Sequence, residues 1–287
     1  MYYQDFILPI IGFYIGGELL LKGGKRVSNQ AVFLGILSSV PEIVTLLGLI
    51  EERSYYLAIG SIIVSVILVS TLGIGAIGII AFLKWREKVT VKLNERPLIG
   101  IISALLIAIL IIQRMNYLIG IPLIFLLIFY LVRKLEGIKA NNKGIYLMIV
   151  GMGILWISSQ FLVSSITSSQ LPNWAYSEFL IPILLNAQDL FVGFRESAND
   201  PRLTSQVTEG FIIEIVMLSL FAFGVLGVLG GFDGLPLNGL GYLIFSLVVV
   251  DTALIILSSK NDFSFKDSLI LFTLYFLIPL SLLQKPL

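Results

Sequence analysis

Residues 134–144 read KLEGIKANNKG. In a chain that is 57% apolar and only 13% charged, this stretch is a break in an otherwise greasy sequence. A bilayer core takes about 20 apolar residues per helix. Apolar runs of that kind lie near 6–21, 30–50, 54–82, 98–113 and 116–132 before the break. After it they lie near 145–164, 177–194, 205–230, 238–258 and 268–284. The reading is an all-α membrane protein of ten transmembrane helices. Residues 1–133 form a first five-helix half, 134–144 a cytoplasmic linker and 145–287 a second half. Five is odd, so the second half enters the membrane from the opposite side. Related halves would then form an inverted repeat.

Composition supports lipid as the main solvent. The chain has 287 residues and a mean hydropathy of +0.98, whereas soluble domains run near 45–50% apolar and 25% charged. There is no Cys and no His, which removes disulfides, thiolate chemistry, imidazole metal sites and Ser-His catalysis. A net charge of +1 offers no field for nucleic acid. Chemistry is left to carboxylate, hydroxyl, amide and carbonyl oxygen, a ligand set for hard cations and protons. The opening MYYQDFILPIIGFYIGGELLLKGG has Asp5 ahead of its apolar run and no basic segment before it. It reads as the first span, not a cleaved leader.

The basic residues test the count independently. With ten spans, Lys22, Lys25, Arg26, the basic residues of 84–96 and 133–143, Arg195, Arg202, Lys260 and Lys266 share one side. That side holds 16 of the 19 Lys and Arg, against Arg53, Arg114 and Lys285 on the other. Basic loops collect in the cytoplasm. The sequence therefore predicts a multi-pass protein of the cell membrane with both termini outside.

The halves carry faint likeness. GELLLKGGKR at 17–26 is echoed by SQFLVSSITS at 159–168, and GILSSVPEIV at 35–44 by PILLNAQDLF at 182–191, which sets Glu42 opposite Asp189. Corresponding interrupted helices in two halves point to a binding site at the membrane midplane.

A carboxylate at mid-bilayer is unfavourable by roughly 2.5–3.5 kcal/mol on insertion scales, so such residues usually face a bundle interior. The candidates are Glu18, Glu42, Asp189, Glu209, Glu214 and Asp251. Glu42 follows Pro41, with Ser38 and Ser39 one turn earlier. Proline opens the helix and frees carbonyls there, so hydroxyls and carboxylate complete an oxygen cage; the bland alternative is a kink with a snorkelling Glu. Asp189 has Asn186 and Gln188 beside it, or else it sits at an interface. Glu214 needs a functional site or a buried partner. Glu209 is a candidate for simple solvation, Glu18 for an i,i+4 pair with Lys22, and Asp251 is unassigned. Trp85 and Trp174 read as interfacial anchors. Gly73, Gly75 and Gly78 read as a close-packing surface, and ESANDPR at 196–202 as an exposed turn.

The segment 17–47 resembles the first repeat of the calcium/cation antiporter superfamily, whose first span ends in a GAELL-type motif. Its second span carries a G-[TS]-S-[LV]-P-E signature, matched here by Ser38-Ser39-Val40-Pro41-Glu42 with Leu37 in place of glycine. AIGSIIVSVILVS at 58–70 is similar to the third-span stretch and QVTEGFIIE at 206–214 to its counterpart in span eight. The resemblance implies ten spans in two inverted halves and a mid-membrane cation site. Its ligands would be Glu42, Asp189 and Glu214 with Ser38, Ser39, Ser65 and Asn186. The departures are Val69 and Gly210 at polar positions, and Asn186-Ala187-Gln188-Asp189 where the family has Ser-Leu-Pro-Glu.

The function so implied is secondary antiport of Ca2+ against Na+ or H+ by alternating access, with no organic cofactor and no enzymatic activity. Partners are inorganic cations and the lipid bilayer. Two alternatives stand beside it: a proton-coupled carrier of another cation or a small solute, and a non-transporting membrane protein with a decayed ion site.

Overall fold

The computed structural model describes residues 4–24, 30–91, 93–136, 142–167, 172–237 and 239–281. Residues 137–141 of the linker, the basic residues Lys25, Arg26, Lys92 and Lys139, and the end of the tenth apolar run lie outside those residues.

The chain is almost wholly helical. The elements are α1 (Gln4–Gly24), α2 (Gln30–Ser38), α3 (Val40–Glu51), α4 (Tyr55–Leu68), α5 (Ile74–Trp85), α6 (Arg96–Ile112) and α7 (Tyr117–Leu135). There follow α8 (Asn142–Thr167), α9 (Asn173–Ala175), α10 (Ile181–Asn199), α11 (Pro201–Gly230), α12 (Gly241–Leu257), α13 (Phe265–Leu274) and α14 (Leu277–Ser281). One turn of π-helix at Val69–Gly73 joins α4 to α5, and another at Tyr176–Leu180 joins α9 to α10. Single π turns inside α-helices are frequent at functional sites.

Among the described residues six helices are long and apolar enough to cross a membrane: Tyr55–Trp85, Tyr117–Leu135, Asn142–Ile166, Asn173–Asn199, Pro201–Gly230 and Gly241–Lys260. Two of the other predicted runs are shorter apolar helices, Ile7–Leu20 and Arg96–Ile112. The remaining two are interrupted. Run 30–50 breaks at Ser39, just before Pro41, and run 268–284 breaks at Tyr275–Phe276 between α13 and α14. The first break has a plain cause. Proline has no N–H, and its ring crowds the carbonyl four residues back, here that of Leu37. The predicted division between α6 and α7 is present. Gln113 takes a left-handed φ of 56° and ends α6.

One expectation fails at 196–202. Helix α10 continues to Asn199, Ser197 is buried, and only Asp200 separates α10 from α11. Asp200 is extended and its side chain accepts from the Arg202 N–H, so it caps α11. The Arg202 guanidinium, which also donates to this carboxyl, holds it below the usual carboxylate range, with the backbone bond adding to the effect.

The most enclosed of the six long apolar helices are α11 and the α4–α5 rod. They form the centre. α2 and α7 pack on α11, α13 packs on α5, α12 lies along α6, and α1 lies along α8. Small residues make these approaches possible. A Cβ at Gly75 would stand 2.7 Å from the Phe272 nitrogen, so α5 meets the backbone of α13. One at Gly120 would stand 2.4 Å from the Val228 nitrogen, between α7 and α11. The expected close-packing surface at 73–78 is therefore real.

Two short antiparallel ladders tie loops together. Val89–Thr90 pairs with Asp262–Phe263, and Arg114–Met115 pairs with Leu235–Pro236. Each joins a loop before residue 134 to a loop after residue 144. The first is reinforced by Arg96, which donates to the Ser258 carbonyl and to Asn261. Arg114 donates to the Asp233 carbonyl at 2.7 Å beside the second.

Candidate functional site

The break at Ser39 puts a helix start inside the bundle of helices. Helix α3 begins at Val40 with Pro41 in its first turn, and Glu42 follows in that same turn. An acidic residue there complements the positive end of the helix dipole. Glu42 is fully buried, at 0% exposure, so it does not snorkel. Neither of its carboxylate oxygens has a hydrogen-bond partner.

Ser38 closes α2 and reaches across to α11. Its hydroxyl donates to Glu214 Oε2 at 2.8 Å and also lies 3.0 Å from the Gly35 carbonyl. Gly35 permits this approach, because a Cβ there would stand 2.5 Å from the Gly210 carbonyl oxygen. Glu214 is fully buried, and its second oxygen, Oε1, is unpartnered. The buried partner it required is thus Ser38.

A parallel arrangement stands on the other side. Asn186 on α10 donates to Ser65 Oγ on α4 at 3.0 Å and to the Pro182 carbonyl at 2.8 Å. Both donor hydrogens are used and the amide oxygen is left free. Asn186 and Ser65 are fully buried. Asp189, one turn along α10, is half-buried and faces a cavity of about 370 Å³. Ser38, Pro41, Glu18 and Arg195 line the same cavity. It therefore runs from the centre of the bundle toward the ends of α1 and α10.

Asp189 and Glu42 both lie within electrostatic reach of Glu214, and Asp189 within reach of Glu42. The three acids are one electrostatic unit. Among the described residues, however, no three acidic side chains converge tightly enough to enclose a metal ion. What the site presents is a loose set of oxygens in want of positive charge: both of Glu42, one of Glu214, the amide oxygen of Asn186, and Asp189. Unpartnered buried polar atoms are uncommon and costly, and several buried carboxylates need a compensating cation or proton. That oxygen-only donor set fits a hard cation or protons.

The remaining candidates make contacts of their own. Ser39 is fully buried but its hydroxyl donates back to the Ile36 carbonyl at 2.7 Å. Glu18 pairs with Lys22 at 3.1 Å, both well exposed, as the i,i+4 spacing suggested. Glu209 is half-buried on α11, near Tyr130. Asp251 is buried and accepts from Ser103 at 3.1 Å, which ties α12 to α6. Trp85, expected as an anchor, also donates to the Ser197 carbonyl at 3.1 Å.

Three polar residues escaped the sequence reading. Glu178 is buried within the π turn Tyr176–Leu180; it lay at the edge of a predicted run, where acids are ordinary. Thr45 and Ser70 are buried with unpartnered hydroxyls, one turn from Glu42 and inside the π turn of Val69–Gly73. Hydroxyls one turn from a membrane acid were the available signal for Thr45.

Residues 26–135 match the family model described as sodium/calcium exchanger protein. No curated protein matches the sequence. Among solved structures, the chain is similar to the sodium-calcium exchanger NCX_Mj soaked with 2.5 mM Na+ and 0.1 mM Ca2+. The identity is 20%, the TM-score 0.67, and the match covers 98% of this chain and 99% of that one. NCX_Mj soaked with 2.5 mM Na+ and 1 mM Sr2+ matches at 19% identity and a TM-score of 0.66, over 100% of both chains. At such identity the likeness is one of fold.

Proposed function

We propose that this chain belongs to the calcium/cation antiporter superfamily and is a secondary cation antiporter, a transporter rather than an enzyme. In this reading it exchanges Ca2+ for Na+ or H+ through a site formed by Glu42, Asp189 and Glu214, with Ser38, Ser39, Ser65 and Asn186. The observation that carries it is the pair of crossed hydrogen bonds, Ser38 to Glu214 and Asn186 to Ser65, which leave carboxylate and amide oxygens free in a buried centre. Similarity to an exchanger supports cation cargo, and a loose, mixed set of oxygen donors favours Ca2+ over Mg2+, which demands tight octahedral geometry and sheds water reluctantly.

The architecture proposed with it is ten spans in two inverted halves, 1–133 and 145–287, with both termini outside the cell. Several pairings support the inversion. A twofold axis relating the halves would exchange α2–α3 with α10 and α4–α5 with α11, and so would carry the α2–α11 contact of Ser38 with Glu214 onto the α10–α4 contact of Asn186 with Ser65, helix for helix. The same operation exchanges the two β-ladders. Alternating access would come from α1 and α8 shifting against the other helices. Their seam is built from Gly16, Gly23, Gly144 and Gly151, where an added Cβ at Gly16 would stand 3.0 Å from the Gly151 oxygen. Three carboxylates exchanging their charge partners give exchange by competition, since the cavity favours one cation load over an uncompensated cluster.

The test is gradient-driven cation flux in proteoliposomes. Glu42→Gln should abolish exchange; unchanged flux would end this reading. A second reading, proton-coupled carriage of another cation or a small solute, is favoured by the absence of a tight three-acid cage among the described residues. Flux that depends steeply on pH and not on Na+ selects it.

A further inference from the structure

Gln188 stands immediately before Asp189, at the position where the family signature of the first half has Pro41. Its side chain leaves α10 and reaches the backbone of α1. With the amide oriented donor to acceptor, its nitrogen donates to the Phe13 carbonyl at 3.1 Å and its oxygen accepts from the Glu18 N–H at 2.9 Å. These are two main-chain groups on adjacent turns, gripped by one amide. Gly17 makes the grip possible, because a Cβ there would stand 2.7 Å from Gln188 Cδ.

Helix α1 therefore has two unlike neighbours. Toward α8 it presents Gly16 and Gly23, which approach Gly151, Leu155, Gly144 and Met148. That seam is long but mostly apolar and lined by small residues, and dispersion contacts carry no strong register. Toward α10 it is held by a bidentate hydrogen bond, which has one register only, because both bonds fail when the helix shifts by a residue. Proline at 41 offers no such group to α8.

The geometry points to Gln188 as a latch that fixes the register of α1 against the helix carrying Asp189. It is a positioning residue, and the assignment rests on the antiporter reading, in which α1 moves. Displacing α1 opens the latch one residue from a site carboxylate, so the position of the helix and the charge state around Asp189 are coupled through α10.

Because the chain has no Cys, Leu184→Cys, on the cavity wall, supplies a single thiol. Its modification by a water-soluble maleimide in detergent reports how often α1 uncovers the cavity. Gln188→Leu in that background should speed labelling about tenfold, the scale of two ordinary hydrogen bonds. Gly17→Ala, which keeps the amide but displaces it, should give a similar gain, and the double variant no more than either alone. In proteoliposomes Gln188→Leu should change the saturated exchange rate several-fold while the half-saturating cation concentration stays within twofold. Labelling within twofold of the Leu184→Cys parent, in a Gln188→Leu protein with an intact melting transition, overturns the latch; so does a shift in half-saturation with no change in rate. If Gly17→Ala does not fold, Gln188→Leu alone decides. A parent with no cation flux refutes the antiporter reading, and the labelling rates still judge the latch.

Discussion

Glu42 makes opposite demands on stability and on binding, and that opposition can be measured. Its carboxylate is fully buried with both oxygens unpartnered. Without a cation or proton it is an uncompensated group, so Glu42→Gln should leave the cation-free protein no less stable than the parent. With a cation the order reverses. Removing one partner of a buried charge pair typically costs about 3–5 kcal/mol, or roughly two to three and a half decades in affinity. Binding to the native state alone stabilises it by RT ln(1 + [L]/Kd), about 2.7 kcal/mol at one hundred times Kd. The parent should therefore melt higher in Ca2+ than in chelator. At the same Ca2+ concentration Glu42→Gln should show almost none of that gain, because its site is nearly empty. The assay is thermal unfolding of detergent-solubilised protein, with and without Ca2+, Na+ and chelator. Were Glu42 a structural acid, the substitution would lower the cation-free melting temperature and leave the cation-dependent rise intact. That outcome refutes the reasoning.

Other predictions follow from the same contacts. Ser38→Ala removes a hydrogen bond to a buried carboxylate, worth about 1.5–3 kcal/mol; the half-saturating cation concentration should rise roughly tenfold or more in flux measurements. Ser65→Ala and Asn186→Ala should couple in a double-mutant cycle by about 0.5–1.5 kcal/mol of unfolding free energy, as expected for partners 3.0 Å apart. Asp251→Asn should keep cation exchange within twofold, because Asp251 bonds to Ser103 on α6 and not to the central acids. Gly75→Val should lower the yield of folded protein, judged by size-exclusion chromatography, because a side chain there meets the backbone of α13 and overpacking costs about 1–3 kcal/mol.

Much of this arrangement was legible in the sequence, for identifiable reasons. Apolar length and the bias of basic residues are one-dimensional signals, and they located the helices. Pro41 announced the break in the second apolar run, because its effect is local. The break at Tyr275–Phe276 had no such marker. Buried acids were visible as charge within apolar runs, and Glu42 and Glu214 are indeed fully buried. Their partners were not visible. Ser38 and Glu214 are 176 residues apart, and Asn186 and Ser65 are 121 apart. No helical period encodes which rod stands beside which. The π turns were equally hidden, since one extra residue in a turn leaves the apolar pattern nearly unchanged. Gln188 read as a spare amide until α1 was seen beside it.

Both ladders, both hydrogen bonds of the centre, and the contacts Trp85–Ser197, Arg96–Ser258, Ser103–Asp251 and Arg114–Asp233 bridge the first 133 residues and the stretch after 144. Two segments so interlaced should behave as the subunits of an obligate heterodimer that happens to share one peptide chain. Severed at the linker and co-expressed, fragments 1–133 and 145–287 should find each other in the lipid, whereas either produced alone would be left with half a ladder and a stranded acid.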